Sequence, residues 1–260
     1  MMIKKLNFVY VILIIATMSL SACVPTASVQ PVATEKGQAK SENLTNWNFE
    51  YIQQVPPIMM RDPLIEMFGQ ASGPIPYYYE EAVKLSGHSC MVVAAAWTMT
   101  RLALEELYQN GEVPVRGQIA IKMPGAEDEW NIGVFGEVMM YITGASPKTG
   151  FSGSFLGKGN PLAIRRNKMV YTEEPVGTRP PKMKFIFTRI DTGQSVAVSW
   201  NITLVQPPIS EKILAKPGYK LASGAATPEE AEKFNKNWND AALFLLKNPV
   251  KGLITVRVVE

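Results

Sequence analysis

Residues 91–99 read MVVAAAWTM. No charge interrupts this run, and on a helix its apolar side chains point in every direction. A helix that is apolar all round belongs at the centre of a core, covered on every side. The helical stretch spans 88–108. It ends at Asn110-Gly111, a suitable left-handed exit, and turns Glu105 and Glu106 outward in its last turns. The other elements of the chain must therefore be arranged around it. At 47% hydrophobic and 19% charged residues, the composition offers enough apolar area for such a core and excludes a disordered chain.

Asp62-Pro63 supplies an N-cap and a first-turn proline for a short helix over 62–68, stopped by Gly69. A second short helix is expected over 76–85, broken by Ser86-Gly87. Beyond the central helix come a strand over 118–123, an acidic loop over 125–130 and a helix over 135–142 closed by Thr143-Gly144. A Gly-rich loop is expected over 144–160. Three strands are expected over 163–171, 182–190 and 195–204, with the cleanest alternation in KFIFTRI. Turns separate them at 177–181 and 191–193. Thr227-Pro228-Glu229-Glu230 opens a helix with a cap, a proline and first-turn acids. That helix runs to about Lys247, and a last strand covers 252–259. The pattern is α+β: a mixed sheet flanked by helices, with a helical first half and a strand-rich second half.

The N-terminus carries an export signal. Lys4 and Lys5 precede an apolar run over 8–16 (FVYVILIIA), and Leu20-Ser21-Ala22-Cys23 comes after it. The run is short for a membrane span and fits a secretory signal. The tetrapeptide matches the lipobox of bacterial lipoproteins. That match implies a signal peptide over 1–22 and a thioether-linked diacylglycerol on Cys23, usually with an N-acyl chain such as palmitate. Several acyl chains give stable anchoring in a bilayer. Residues 23–45, rich in Pro, Ser, Thr and Ala, read as a flexible tether. Residues 46–260 read as the folded domain. The expected place is the cell envelope, lipid-anchored and facing the periplasm or the exterior. Val24 rather than Asp after the cysteine points to the outer membrane where the host has one.

The 26 basic and 23 acidic residues give a net charge of +3, and loss of Lys4 and Lys5 brings the chain to near neutrality. Such a chain is poorly suited to nucleic acid. There are 2 Cys and 1 His, too few for a zinc finger or a disulfide framework. With Cys23 acylated, Cys90 is the one remaining thiol. Gly87-His88-Ser89-Cys90 places it two residues from the sole imidazole where the central helix begins. Helix N-termini favour thiolates, and His and Cys are good zinc ligands. Zinc takes three protein ligands in catalytic sites and four in structural ones. A third donor must therefore come from Glu137, Asp128 or Glu127, from a Met, from water, or from a second copy of the chain, which makes a homodimer a candidate. Equally, Cys90 can be a small core residue and His88 a capping one. Lys158 and Asn160, in Gly157-Lys158-Gly159-Asn160, can bind an anionic ligand. Neither a Ser-His-Asp triad nor a Walker loop nor an HExxH helix is present.

The order SGHSCMVVAAAW, then GQIAIKM, then FGEVMMYITGA, then GKGN resembles the core of the FmdE family, named for a component of formylmethanofuran dehydrogenase, over residues 75–170. That family has a Gly-His-x-Cys motif opening a helix of small residues, a strand, a second helix ending in Thr-Gly-Cys, and a Gly-Lys-Gly-Asn loop. The resemblance implies a thioredoxin-like core with His88 and Cys90 beside a cavity that can hold zinc. It does not imply the dehydrogenase reaction. Ala145 stands where the family often has Cys, and no cysteine comes after Cys90, so a sulfur donor is missing and Glu137 is the expected substitute.

Three readings are open. The protein binds a transition metal, zinc first, through His88 and Cys90. Or it uses Cys90 and His88 without metal, catalytically or in ligand capture. Or it is an interaction lipoprotein whose family site has decayed.

Overall fold

The computed structural model describes residues 46–152, 164–177, 180–205 and 216–259. The lipobox with Cys23, the tether, and Lys158 and Asn160 lie outside the described residues. Two units divide the chain at Thr45 and Asn46.

The elements of the second unit run α1 (Tyr51–Gln54), β1 (Ile58–Met60), α2 (Pro63–Met67), β2 (Ile75–Tyr77), α3 (Tyr79–Ser86), α4 (Met91–Leu107), β3 (Ile119–Met123), α5 (Ile132–Thr143) and β4 (Met169–Tyr171). Then come β5 (Lys182–Arg189), β6 (Ser195–Asn201), a 3-10 turn (Ile202–Leu204), α6 (Lys216–Ala222), α7 (Pro228–Lys247) and β7 (Ile254–Val259). The class is α+β. A five-stranded sheet has the order β4-β3-β5-β6-β7, and β1 and β2 form a separate antiparallel pair. β3 and β4 are parallel, joined by the α5 crossover, and the remaining pairings are antiparallel.

α4 is the expected central helix. Every residue from Val93 to Thr100 is buried, and α4 packs against α3, α5, α7 and strands β5, β6 and β7. The strands bury alternate residues, as a sheet with one covered face must. Met183, Phe185 and Phe187 on β5 face inward beside their partners Trp200, Val198 and Val196 on β6. Lys122 and Lys184 are exposed on the other face. Phe135 of α5 ties the layers, with its ring 4.9 Å from Phe185 and 5.8 Å from Trp200. At Gly136 the helix meets β4 so closely that a Cβ would stand 2.2 Å from Tyr171 Oη.

Caps explain the helix starts. Asp62 Oδ1 accepts from Leu64 N at 3.0 Å with Pro63 next to it. Thr227 and Glu230 form the reciprocal capping box of α7. Asp62 also takes Arg116 Nη1 at 3.1 Å and Arg165 Nη2 at 2.8 Å while only 2% exposed. Arg116 further donates to the carbonyls of Tyr141 and Ile142 at the end of α5. One buried carboxylate thus joins the start of α2 to the close of α5.

Several boundaries differ from expectation. Pro76 and Tyr77, expected to open a helix, belong to the strand Ile75–Tyr77, because Ile58–Met60 offers it a partner. α3 begins at Tyr79, α4 at Met91 and α5 at Ile132. Of the strand expected over 163–171, Met169–Tyr171 is strand among the described residues. β6 ends at Asn201, whose side chain caps the 3-10 turn through Thr203 N.

Candidate functional site

The Gly-His-Ser-Cys segment is the elbow between α3 and α4. Gly87 takes the left-handed conformation, φ 74°, that closes α3, a conformation costly for a residue with a Cβ. The chain then turns out through His88 and back inward at Ser89. Cys90 is extended, φ −147° and ψ 176°, and is the N-cap of α4. Its carbonyl accepts Ala94 N at 2.9 Å, but its thiol makes no capping bond. His88 and Cys90 therefore precede the first helical turn.

Ser89 pins the elbow. Its hydroxyl is 2.8 Å from both Tyr51 Oη of α1 and Tyr79 Oη of α3. Tyr51 also donates to Asn239 Oδ1 at 2.8 Å, and Trp238 Nε1 donates to the Ser89 carbonyl at 2.6 Å. Side chains from three helices, α1, α3 and α7, thus hold one serine. Burial pushes the Tyr79 phenol far up, and it pushes the Tyr51 phenol up as well. Both hydroxyls are held as neutral hydrogen-bonding groups.

The Cys90 side chain is the largest influence on the imidazole and raises its pKa. Burial opposes this, and the charge of Cys90 and the Ser86 carbonyl add to the rise. Nδ1 stands 3.1 Å from the Ser86 carbonyl, so Nδ1–H donating to that oxygen fixes the ring from one side. Trp238 lies against it, with ring centroids 6.0 Å apart and planes tilted by 42°. The imidazole is exposed, whereas Cys90 is 9% exposed and belongs to the apolar core.

A cleft of about 510 Å³ opens at the elbow, walled by Gly87, His88, Ser89, Trp47, Phe49 and Trp238 among others. Its size falls within the roughly 300–1,000 Å³ of small-molecule sites. Trp47 is fixed by its Nε1–H, which donates to Glu80 Oε2 at 3.1 Å.

Glu137 is exposed on α5 and lies near Tyr171. Burial first, then the charges of Glu127 and Glu137, push that phenol up to about 12. Among the described residues no three of His, Cys, Asp and Glu gather as a metal ion would require, so Glu137 does not join His88 and Cys90. The described residues thus offer zinc two donors, one fewer than its catalytic sites take from protein. Ala145 is fully buried. Of the three tyrosines over 77–79, Tyr77 and Tyr79 are buried and Tyr78 is the N-cap of α3.

The parts with no sequence signal are Trp47, Tyr51 and Trp238. They reach the elbow from far along the chain, and nothing in their own neighbourhoods marks them. Ser89 is visible in the sequence only as the residue between His88 and Cys90. Comparison of the chain with family models finds no match, and comparison with curated proteins finds none.

Proposed function

We propose that the protein is an exported, lipid-anchored member of the FmdE-like family, with a thioredoxin-like core, that uses His88 and Cys90 as a thiol–imidazole pair without a resident metal. The supporting observation is that the exposed imidazole and the buried thiol share the elbow that opens α4, where the Cys90 side chain is the first cause raising the imidazole pKa. Among the described residues His88 and Cys90 gain no third His, Cys, Asp or Glu donor, and a catalytic zinc takes three ligands from protein. Cys90 is buried, with 9% of the residue exposed, so the oxidant in this proposal is as small as a hydroperoxide rather than a protein disulfide.

The chemistry is one-cysteine oxidation. The Cys90 proton passes to His88, and the sulfur attacks the nearer peroxide oxygen. An S–O bond forms and the O–O bond breaks. Sulfur is oxidised to the sulfenic acid, and the peroxide is reduced to water or an alcohol. That leaving oxygen takes the proton from the imidazolium.

The test is mass spectrometry of hydrogen peroxide-treated protein trapped with dimedone, with elemental analysis of the same anaerobic preparation. The expected result is one adduct, on Cys90, formed several-fold more slowly in His88→Gln, with zinc well below one per chain. An inert Cys90 overturns the proposal. Zinc at one per chain, lost in both His88→Ala and Cys90→Ser, overturns it in favour of the metal site the resemblance implies.

A further inference from the structure

We propose that the cleft beside His88 is a saccharide site that takes a neutral pyranose ring against Trp47 and Trp238. The site goes beyond the thiol chemistry and does not depend on it, because Cys90 is not part of the cleft wall.

The wall decides the ligand class. Both indole N–H groups are already engaged, Trp47 with Glu80 and Trp238 with the Ser89 carbonyl. What the two tryptophans offer the cleft is therefore ring surface. Phe234 stacks on Trp238, with centroids 5.5 Å apart and planes 29° from parallel, and this fixes the indole further. Flat, pre-fixed aromatic surface suits the axial C–H face of a sugar and gives large contact area at small entropic cost. The polar groups at the rim match hydroxyls. Asn46 and Asn48 bring exposed carboxamides, each able both to donate and to accept, and His88 adds an imidazole edge. Asn239 is spoken for by Tyr51 and the Asn235 carbonyl.

Charge argues against the other occupants of aromatic sites. A quaternary ammonium ligand is selected by a negative aromatic cage, and an anion needs an unbalanced cation. The rim holds Lys84 and the imidazole, and Lys84 is paired with Glu80 at 3.3 Å, so the charge at the rim is largely balanced and favours neither class. A neutral, hydroxyl-rich ring is the chemistry that remains.

The test is isothermal titration of the full chain with cellotriose and with chitotriose, monitored also by tryptophan emission. Tetraethylammonium serves as the competing ligand class. Millimolar or tighter binding of either trisaccharide is expected. It should weaken roughly tenfold in Trp47→Ala, the size of one lost aromatic contact, and be kept in Cys90→Ser. Asn48→Ala, a change on an exposed side chain, should weaken it less and guards against a Trp47→Ala protein that fails to fold. Absence of saccharide binding, binding that neither variant moves, or preference for tetraethylammonium overturns the assignment. Saccharide binding in a protein whose Cys90 proves inert separates this site from the thiol proposal.

Discussion

Replacing Ser89 by Ala tests whether the elbow is held as described. The hydroxyl serves two tyrosines, each at 2.8 Å. Tyr51 keeps Asn239 as an acceptor when Ser89 Oγ is gone, so its loss is small. Tyr79 is 0% exposed and Ser89 is its hydrogen-bond partner, so its hydroxyl becomes a buried polar group without one. That costs about 1–3 kcal/mol. With a urea m-value of about 2–3 kcal/mol/M, the unfolding midpoint falls by roughly 0.3–1.5 M. Tyr79→Phe alone should cost about 0.5–1.5 kcal/mol, one net hydrogen bond. The double variant removes the orphan together with its partner, so it should be no less stable than Ser89→Ala. Equilibrium urea denaturation monitored by far-UV circular dichroism reads all three. The reasoning is refuted if Ser89→Ala lies within about 0.5 kcal/mol of wild type, or if the double variant shows the sum of the two single losses.

Asp62→Ala removes the one carboxylate between Arg116 and the buried Arg165, together with the cap of α2. Breaking a buried pair from one side costs about 3–5 kcal/mol, against about 1 kcal/mol for a cap alone. Thermal unfolding should therefore show a loss nearer the larger figure. Burial and the neighbouring Arg165 charge pull the Lys168 ammonium down to about 8. In the folded protein this lysine sheds its proton before the unfolded chain does. Its contribution therefore makes stability rise with pH from about 8 towards the ordinary lysine value near 10.4. After reductive ¹³C-methylation, one dimethyl-lysine resonance should titrate near 8 and vanish in Lys168→Met.

The elements legible in the sequence are those whose signal is local. The all-round apolar run places α4 at the centre, where Val93 to Thr100 are buried. The capping sequence at Thr227 marks α7, and the alternation in KFIFTRI marks β5. The elements that escape depend on partners. Ile75–Tyr77 is a strand because Ile58–Met60 lies opposite, and a short helix is the better reading of that stretch alone. α1 is a single turn, too short to show a period. At the site the same division holds. His88 and Cys90 are visible as a motif, and both lie at the elbow between α3 and α4. The aromatic clamp is not visible, because Trp238 reaches Ser89 across 149 residues. Glu137 fits the missing third donor by residue type, but its place on α5 near Tyr171 is set by the fold.

The chain holds one histidine, so its imidazole proton resonances assign themselves. Proton NMR titration of His88 in wild type and in Cys90→Ser therefore tests the pairing directly. The folded pKa is raised above the unfolded value, about 6.5, and Cys90 is the first cause. The stability linked to His88 is accordingly complete below about 6.5 and is lost as pH rises through the folded midpoint. The wild-type midpoint should lie above 6.5 and fall in Cys90→Ser, the pH dependence of stability flattening with it. A midpoint unmoved by the substitution would contradict the account, because the imidazole and the sulfur would then be neighbours without influence on each other.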